Sequence, residues 1–257
     1  MKIRNIILAL AGMSAMFSCS LEEYPYGFYS EGNFYKTAAD AEAAVNYIYD
    51  AINYIEYSRS IVFLGDMNTD VMNPKGDATA ANKELDGWKL NNLNTNTTLG
   101  NFFKYSYITI NRANSVIRNV GAMTSLDEDL RNRYVGEAYF MRGWSYFCLA
   151  RNFGMVPIHT EPVTTLDQSA VPAAKSLDEM WSCIISDLEK AAELLPLYSV
   201  PEAGRADKAA ACGFLAKAYL YIASAKDHGA PQYSQMSFDV ESYYAKAAEY
   251  AAKVVDN

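Results

Sequence analysis

Apolar residues recur at three- and four-residue spacing along most of the chain, a pattern that predicts α-helices. The clearest example follows Thr37 and Asp40, whose side chains can cap the start of a helix. The apolar positions after them share one helix face; they are Ala41, Ala44, Val45, Ile48, Ile52 and Ile55. The first predicted helix therefore extends to about Ile55.

The stretch from Ser125 to Phe153 predicts one long helix with apolar residues on nearly every face. Ser125 and Glu128 have the spacing of a capping box, while Gly154 and Pro157 are typical of a helix end. A helix that is apolar nearly all round must be buried among several neighbours. We therefore expect this helix, called the spine helix below, to form the centre of an all-helical domain.

Four further helices follow from the same spacing and from start and stop signals. The clearest start signal is the capping box of Ser176 and Glu179, and Pro196 ends the helix that follows it. The four helices are predicted over about 99–120, 176–195, 204–222 and 244–254.

From Ser58 to Asn101 the periodicity disappears, and Asn, Asp, Thr and Gly dominate. A loop of this length is either functional or a mobile insert. Within it, Trp88 lies among Asp, Asn and Lys residues. An indole offers a face for the C–H side of a sugar ring, and nearby amides and carboxylates can bond the hydroxyls. The alternative is that Trp88 packs against the fold and anchors the loop.

The N-terminus has the layout of a secretory signal, in which Lys2 and Arg4 precede an apolar run too short to span a bilayer. The small residue Ser18 before Cys19 predicts cleavage of a lipoprotein signal peptide over 1–18. Acyl chains on Cys19 would then anchor the protein to a membrane. The alternative is a cleaved soluble protein with an incidental cysteine.

The charge of the chain argues against nucleic acid as a partner. The formal net charge is −8, and loss of Lys2 and Arg4 with the leader makes it −10. An acidic surface repels phosphate backbones. The 20 tyrosines and 11 phenylalanines have two possible explanations, which are packing between helices and stacking against carbohydrate rings.

Recognisable catalytic and metal-binding motifs are absent from the sequence. It contains no phosphate loop, nucleophile elbow or metal-ligand spacing, and no two carboxylates stand out as a glycosidase pair. The histidines, His159 and His228, lie in predicted loops. Three cysteines lie at apolar helical positions and are expected to be core thiols: Cys148, Cys183 and Cys212. In an exported protein, two of them could instead form a disulfide.

The missing motifs lead us to expect a protein that is not an enzyme and needs no cofactor.

The segment from Glu137 to Pro157 resembles the signature helix of SusD/RagB-like proteins, nutrient-binding lipoproteins of the bacterial outer membrane. Its pattern is Glu-Ala-x-Phe-Met-Arg, six residues, then Leu-x-Arg-x-Phe-Gly-x-Val-Pro. Three other segments are similar to family motifs: Pro25 with Phe34-Tyr35-x-Thr37, Tyr107-x-x-Ile110-x-Arg112-Ala113-Asn114, and Gly204-Arg205 with Lys208, Ala209 and Ala210. Arg112 and Asn114 are expected to be structural, bonding a neighbouring turn.

Short links between the predicted helices, together with an internal repeat, suggest stacked helix pairs of the tetratricopeptide type, whose small residues let helices approach closely. The spine helix and the helix after Arg205 support this, since four similar residues recur at one offset. Ala138, Phe140, Met141 and Phe147 correspond to Cys212, Phe214, Leu215 and Tyr221. The expected fold is all-α, with degenerate tetratricopeptide-like repeats and a long irregular loop insertion over about 58–101.

The resemblance also implies a domain organisation, namely a lipidated tether over 19–35 followed by a SusD-like helical domain over 36–257. Because family members are usually about twice this long, we expect this domain to be the N-terminal part of a truncated chain. Glu22 and Glu23 behind the lipidated cysteine resemble the signal that sends lipoproteins to the cell surface.

Family members capture oligosaccharides and hand them to a SusC-like TonB-dependent transporter, which implies both partners here. The candidate ligand contacts are Asp66, Asp70, Trp88 and Asn92 in the irregular loop. Two alternatives stay open: a peptide ligand, as in the RagB branch, or a lipoprotein scaffold whose helices bind only proteins.

Overall fold

The computed structural model describes residues 34–67, 69–89, 94–197 and 204–255. Within these ranges the regular structure is helical, apart from one isolated bridge between Pro157 and Ala173. The all-α prediction is therefore confirmed. The helices are α1 (Ala38–Ile52), α2 (Ile55–Gly65), α3 (Ala80–Asp86), α4 (Thr97–Gly121), α5 (Glu128–Phe153), α6 (Leu166–Ser169), α7 (Leu177–Leu194), α8 (Lys208–Asp227) and α9 (Val240–Val255).

The long helices pack in chain order. Helix α5 lies between α4 and α7, α8 lies between α7 and α9, and α1 covers α4 and α5. Buried residues of α5 face all of its neighbours, as the apolar pattern of the spine helix predicts; they include Tyr134, Ala138, Met141, Tyr146 and Leu149. The succession of packed helix neighbours is the tetratricopeptide-like arrangement that the sequence predicts.

Two glycines on α5 allow α7 to approach closely. A Cβ atom at Gly136 would lie 2.9 Å from Leu195 Cγ, and one at Gly143 would lie 3.1 Å from Leu188 Cγ. A side chain at either position would force the two helices apart. These are the small-residue positions that a stacked helix pair needs.

Two helix starts follow the predicted capping signals. The Asp40 amide donates to Thr37 Oγ1 at 3.2 Å, and the Thr37 amide donates back to Asp40 Oδ2 at 2.8 Å, which completes a capping box. Ser176 caps α7 by accepting from the amide of Glu179 at 3.1 Å.

Two other helix starts differ from prediction. Asp127, rather than Ser125, caps α5 by accepting from the amides of Asp129 and Leu130. The helix expected from Gly204 begins at Lys208, after the cap Asp207. In both cases a carboxylate near the helix start is the acceptor, where the positive end of the helix dipole favours negative charge.

The predicted irregular loop over 58–101 contains more helix than its composition suggests. Helix α2 continues to Gly65 and the short helix α3 follows at Ala80–Asp86, so the irregular stretch is shorter than expected. Helix α2 buries Tyr57 and Ser60, and its apolar residues Ile55, Ile61 and Val62 are exposed. The first helix also ends early, at Ile52, and Ile55 opens α2 with 50% of its surface exposed.

Polar side chains of α4 hold it to neighbouring segments. Asn114 Nδ2 donates to the carbonyls of His159 and Glu161, each at 3.0 Å. The guanidinium of Arg112 donates to the Tyr47 carbonyl at 2.6 Å and to Asp50 Oδ2 at 3.1 Å. Both residues are structural, as predicted, although Arg112 contacts α1 instead of a turn.

The described part of the chain contains no helix that is both long and apolar enough to cross a membrane. Helix α9 buries only Ala247 among its residues, and Val255 is 81% exposed. The cysteines on α5, α7 and α8 are free thiols; Cys212 is buried, as expected of a core thiol, whereas Cys148 and Cys183 are only half-buried. The predicted signal peptide and Cys19 lie outside the described residues.

Candidate functional site

The structure describes three of the four predicted ligand residues and places them in different settings. Trp88 follows α3 and is 64% exposed, although tryptophan is usually well buried. Asp66 is the residue that ends α2, and Asp70 lies exposed in the segment after it. Asn92 lies outside the described residues. Of the three that are described, only Trp88 lines a groove.

The groove beside Trp88, called the Trp88 groove below, has a volume of about 580 Å³. Leu85 of α3, Phe103 of α4 and Phe153 of α5 form its apolar walls, while Asn94 and Lys104 add polar groups. The groove therefore lies where α3, the start of α4 and the end of α5 meet.

Asn96 fixes the two helices that form this groove. Its side-chain oxygen accepts from the amides of Thr98 and Leu99, at 3.1 and 3.2 Å, which caps α4. Its Nδ2 atom donates to the carbonyl of Ala81 on α3 at 2.9 Å. Because this one buried side chain serves both helices, the wall that carries Leu85 is held against the wall that carries Phe103.

The backbone at Trp88 adopts a conformation that glycine normally supplies. The Trp88 amide donates to Leu85 O at 3.2 Å and the Lys89 amide donates to Glu84 O at 3.0 Å, the bonding pattern of a Schellman helix end. Trp88 occupies its left-handed position with φ +49°. A large side chain here is strained. The strain and the exposure of the indole both favour a functional role for Trp88 over the anchoring alternative.

Sequence reasoning missed the helical side of the groove. Phe103 and Phe153 meet edge to face with ring centroids 5.4 Å apart, and Phe102 lies 6.1 Å from Phe153. These aromatic residues come from positions about 50 apart in the chain. The signal that points to them is the excess of aromatic residues where α4 begins and α5 ends.

The chemistry of the groove suits binding. Among its described lining residues are one carboxylate, Glu84, and one cation, Lys104. No group of three or more potential metal ligands occurs in the part of the chain that the structure covers. An exposed indole, two phenyl rings and several amides can stack on a sugar ring and bond its hydroxyls.

Comparison with known proteins identifies the family of this chain. Residues 29–220 match the SusD-like family described as starch-binding and associating with the outer membrane. A SusD-like protein of Formosa agariphila is 30% identical over 222 residues, which cover 85% of this chain and 42% of that relative. The chain belongs to the SusD-like family.

Solved structures of SusD-like proteins share the fold. One crystal structure with a xylogluco-oligosaccharide is 26% identical and has a TM-score of 0.70, covering 84% of this chain and 40% of that one. A laminarin-binding SusD-like protein is 22% identical with a TM-score of 0.61, covering 75% and 42% of the two chains. The family resemblance drawn from the 137–157 motif is thereby confirmed. The chain spans about two fifths of the length of the SusD-like proteins that it matches here.

Proposed function

We propose that this SusD-like chain captures oligosaccharides in the Trp88 groove. The observation that carries the proposal is the exposed indole of Trp88, held in a strained conformation at the edge of a groove with aromatic walls. A strained, exposed aromatic residue persists where function requires it. The family description, together with the laminarin and xylogluco-oligosaccharide named for two similar structures, supports a sugar as the ligand.

In this proposal the Trp88 indole stacks on the C–H face of one sugar ring. Asn94 and Lys104 bond hydroxyl groups, and Phe103 and Phe153 form the apolar floor. Asn92, close to Trp88 in sequence, stays a proposed contact. Asp66 and Asp70 stay predictions that do not depend on this groove.

The family's association with the outer membrane supports the proposed location and partner. We propose that the signal over 1–18 is removed, that acylated Cys19 anchors the protein to the outer membrane, and that the protein faces the cell exterior. The captured oligosaccharide then passes unaltered to a SusC-like TonB-dependent transporter.

Calorimetric titration with oligosaccharides of starch, laminarin and xyloglucan tests the binding site. Trp88→Ala is expected to raise Kd at least about tenfold, the scale for loss of an anchoring aromatic residue. Trp88→Gly should lose the same affinity and unfold at a higher temperature than Trp88→Ala, because glycine adopts a positive φ without strain. Analysis of the bound sugar should show no cleavage.

Tyr54→Ala is the matched control. Tyr54 is also an exposed aromatic residue, 51% accessible, but it stacks on Tyr105 instead of lining the groove. This variant should bind like the wild type. Unchanged affinity in both Trp88 variants would contradict the proposed site. Binding of peptides alone would support the RagB-like alternative, and retention of only a protein partner would support the scaffold alternative.

A further inference from the structure

A second and larger groove, called the Arg151 groove below, lies beside the first. Its volume is about 1190 Å³, and it is formed by the end of α5, the start of α7, α8, and residues of the segment that follows α8. Asn152 and Phe153 line both grooves. The two grooves are therefore neighbours across the C-terminal end of α5.

An aromatic cluster forms one side of the Arg151 groove. Trp181 stacks on Tyr221 with centroids 5.4 Å apart, and Tyr233 meets Tyr221 at 5.9 Å. Tyr221 and Tyr233 line the groove, while Trp181 is buried behind them. The cluster gives the groove a rigid aromatic surface of the kind that packs against sugar rings.

Three cations point to the kind of ligand that the groove accepts. Arg151, Lys175 and Lys217 all line it, and none of them forms an ion pair within the described ranges. The guanidinium of Arg151 lies 5.4 Å from the centroid of the Tyr221 ring. A cation that rests on an aromatic face keeps its donors available to a second partner.

The anions nearby do not neutralise these cations. Among the described lining residues, Asp178 is the one with a carboxylate, and its Oδ1 atom accepts from the Ser237 amide at 3.0 Å. The first turn of α7, with Leu177 and Asp178, also lines the groove. A net positive groove on a chain of net charge −8 indicates a site for negative charge.

We infer that the Arg151 groove binds an acidic sugar residue through its carboxylate, and that the ligands of this protein include uronic-acid-containing oligosaccharides. The inference rests on the proposed capture of oligosaccharides and adds that the bound sugar carries a negative charge. In the bound state the Arg151 fork, held over the Tyr221 ring, pairs with the carboxylate, and Lys217 adds a second positive charge. The amide side chains of Gln232 and Gln235, which also line the groove, bond hydroxyl groups.

A pair of ligands that differ only in charge tests this inference. One is an oligogalacturonide, and the other is the same oligomer with each carboxylate reduced to an alcohol. Titration calorimetry should give the wild type at least about tenfold tighter binding of the acidic oligomer, the scale of charge-assisted hydrogen bonds. The preference should shrink as salt is raised, because exposed charges are screened.

Arg151→Ala should reduce the preference severalfold, because Lys217 still carries positive charge in the groove, and should leave the affinity for the reduced oligomer unchanged. Arg151→Lys should reduce the preference less than Arg151→Ala does. The control is Arg59→Ala, which removes one exposed positive charge from α2, outside both grooves, and should retain the full preference. Circular dichroism of each variant checks that it is folded.

The possible results separate this inference from the proposed function. Equal affinity for the two oligomers, or a preference that is undiminished in Arg151→Ala, would overturn the inference and leave capture at Trp88 standing. A preference that is reduced in Arg151→Ala, together with unchanged affinities for both oligomers in Trp88→Ala, would support the Arg151 groove and contradict the Trp88 site. Binding of a poly-glutamate peptide in place of either sugar would overturn the sugar assignment.

Discussion

The guanidinium of Arg142 on α5 and the carboxylate of Asp187 on α7 form a buried two-pronged ion pair. Arg142 Nε lies 2.7 Å from Asp187 Oδ2, and Nη2 lies 2.6 Å from Oδ1. Both side chains are almost inaccessible, at 6% and 5% exposure. Arg142 Nη1 also donates to Asn114 Oδ1 at 2.7 Å and to the Thr160 carbonyl at 3.1 Å. One side chain thus joins α4, α5, α7 and the connection after α5.

Removal of one partner of this pair should destabilise the fold strongly. Asp187→Ala is expected to lower the free energy of unfolding by about 3–5 kcal/mol, because the Arg142 charge stays buried without its partner. Urea denaturation measures the change. Glu193→Ala is the control on the same helix, because it breaks an exposed pair with Lys190 and should cost less than about 1 kcal/mol. Similar small losses in both variants would contradict this account.

The close approach of α5 and α7 predicts opposite effects for two glycine substitutions. Gly136→Ala places a Cβ atom 2.9 Å from Leu195 Cγ and should destabilise the protein by about 1–3 kcal/mol. Gly213→Ala on α8 meets no atom within 4 Å and should stabilise it by roughly 0.5–1 kcal/mol through helix propensity. Thermal unfolding of both variants beside the wild type measures the difference. Equal shifts would show that the helices adjust their spacing easily.

The helix cysteines should react slowly with alkylating reagents. Burial raises the pKa of the Cys148 thiol to about 12, and burial also raises that of Cys183 to about 12. At pH 8 very little of either thiol is thiolate, the reactive form. Mass spectrometry after iodoacetamide treatment should find both unmodified in the native protein and modified in urea. Rapid labelling without denaturant would contradict the shielding of these two half-buried thiols.

His159 should make the protein less stable in mild acid. Partial burial lowers the pKa of its imidazole below the ordinary value of 6.5. The unfolded chain therefore binds the proton more readily than the folded chain. Stability is fully present above pH 6.5 and decreases as the pH falls through that value toward the lower pKa of the folded state.

Thermal unfolding at pH 7.5 and pH 5.5 measures this effect. His159→Gln should show a smaller decrease in Tm between the two pH values than the wild type. Its backbone contacts are retained, since the His159 amide and carbonyl bond the Tyr146 hydroxyl through main-chain atoms. His228→Gln, at an exposed histidine, should keep the wild-type decrease. The same decrease in the His159 variant would assign the acid sensitivity to other groups.

The sequence predicted the long helices well because their signals are local. The capping box of Thr37 and the left-handed Gly154 lie within a few residues of the helix ends that they set. The cap of α5 was misplaced by two residues because Ser125 and Asp127 both fit a local capping pattern. Helix α2 was missed because it spans the boundary between the first predicted helix, which was expected to end at about Ile55, and the loop expected from Ser58.

The candidate site could be predicted only in part. Trp88 is conspicuous in a polar segment, so composition alone identifies it. The apolar patterns of α4 and α5 predict that Phe103 and Phe153 lie in the core. Their rings come together only because α4 packs on α5. The Arg151 groove depends on three helices, and no local pattern shows that Arg151 and Lys217 converge there.

The buried charge of Arg142 on α5 imposes an order on folding. Among the described residues, the carboxylate that pairs with Arg142 is that of Asp187, 45 residues later in the chain. A nascent chain that has emerged only through α5 therefore cannot bury the Arg142 guanidinium without a large desolvation cost. Helix α5 therefore stays partly hydrated until the segment that carries Asp187 has been synthesised. Completion of this fold during synthesis is consequently a late and cooperative event, even though the central helix is made early.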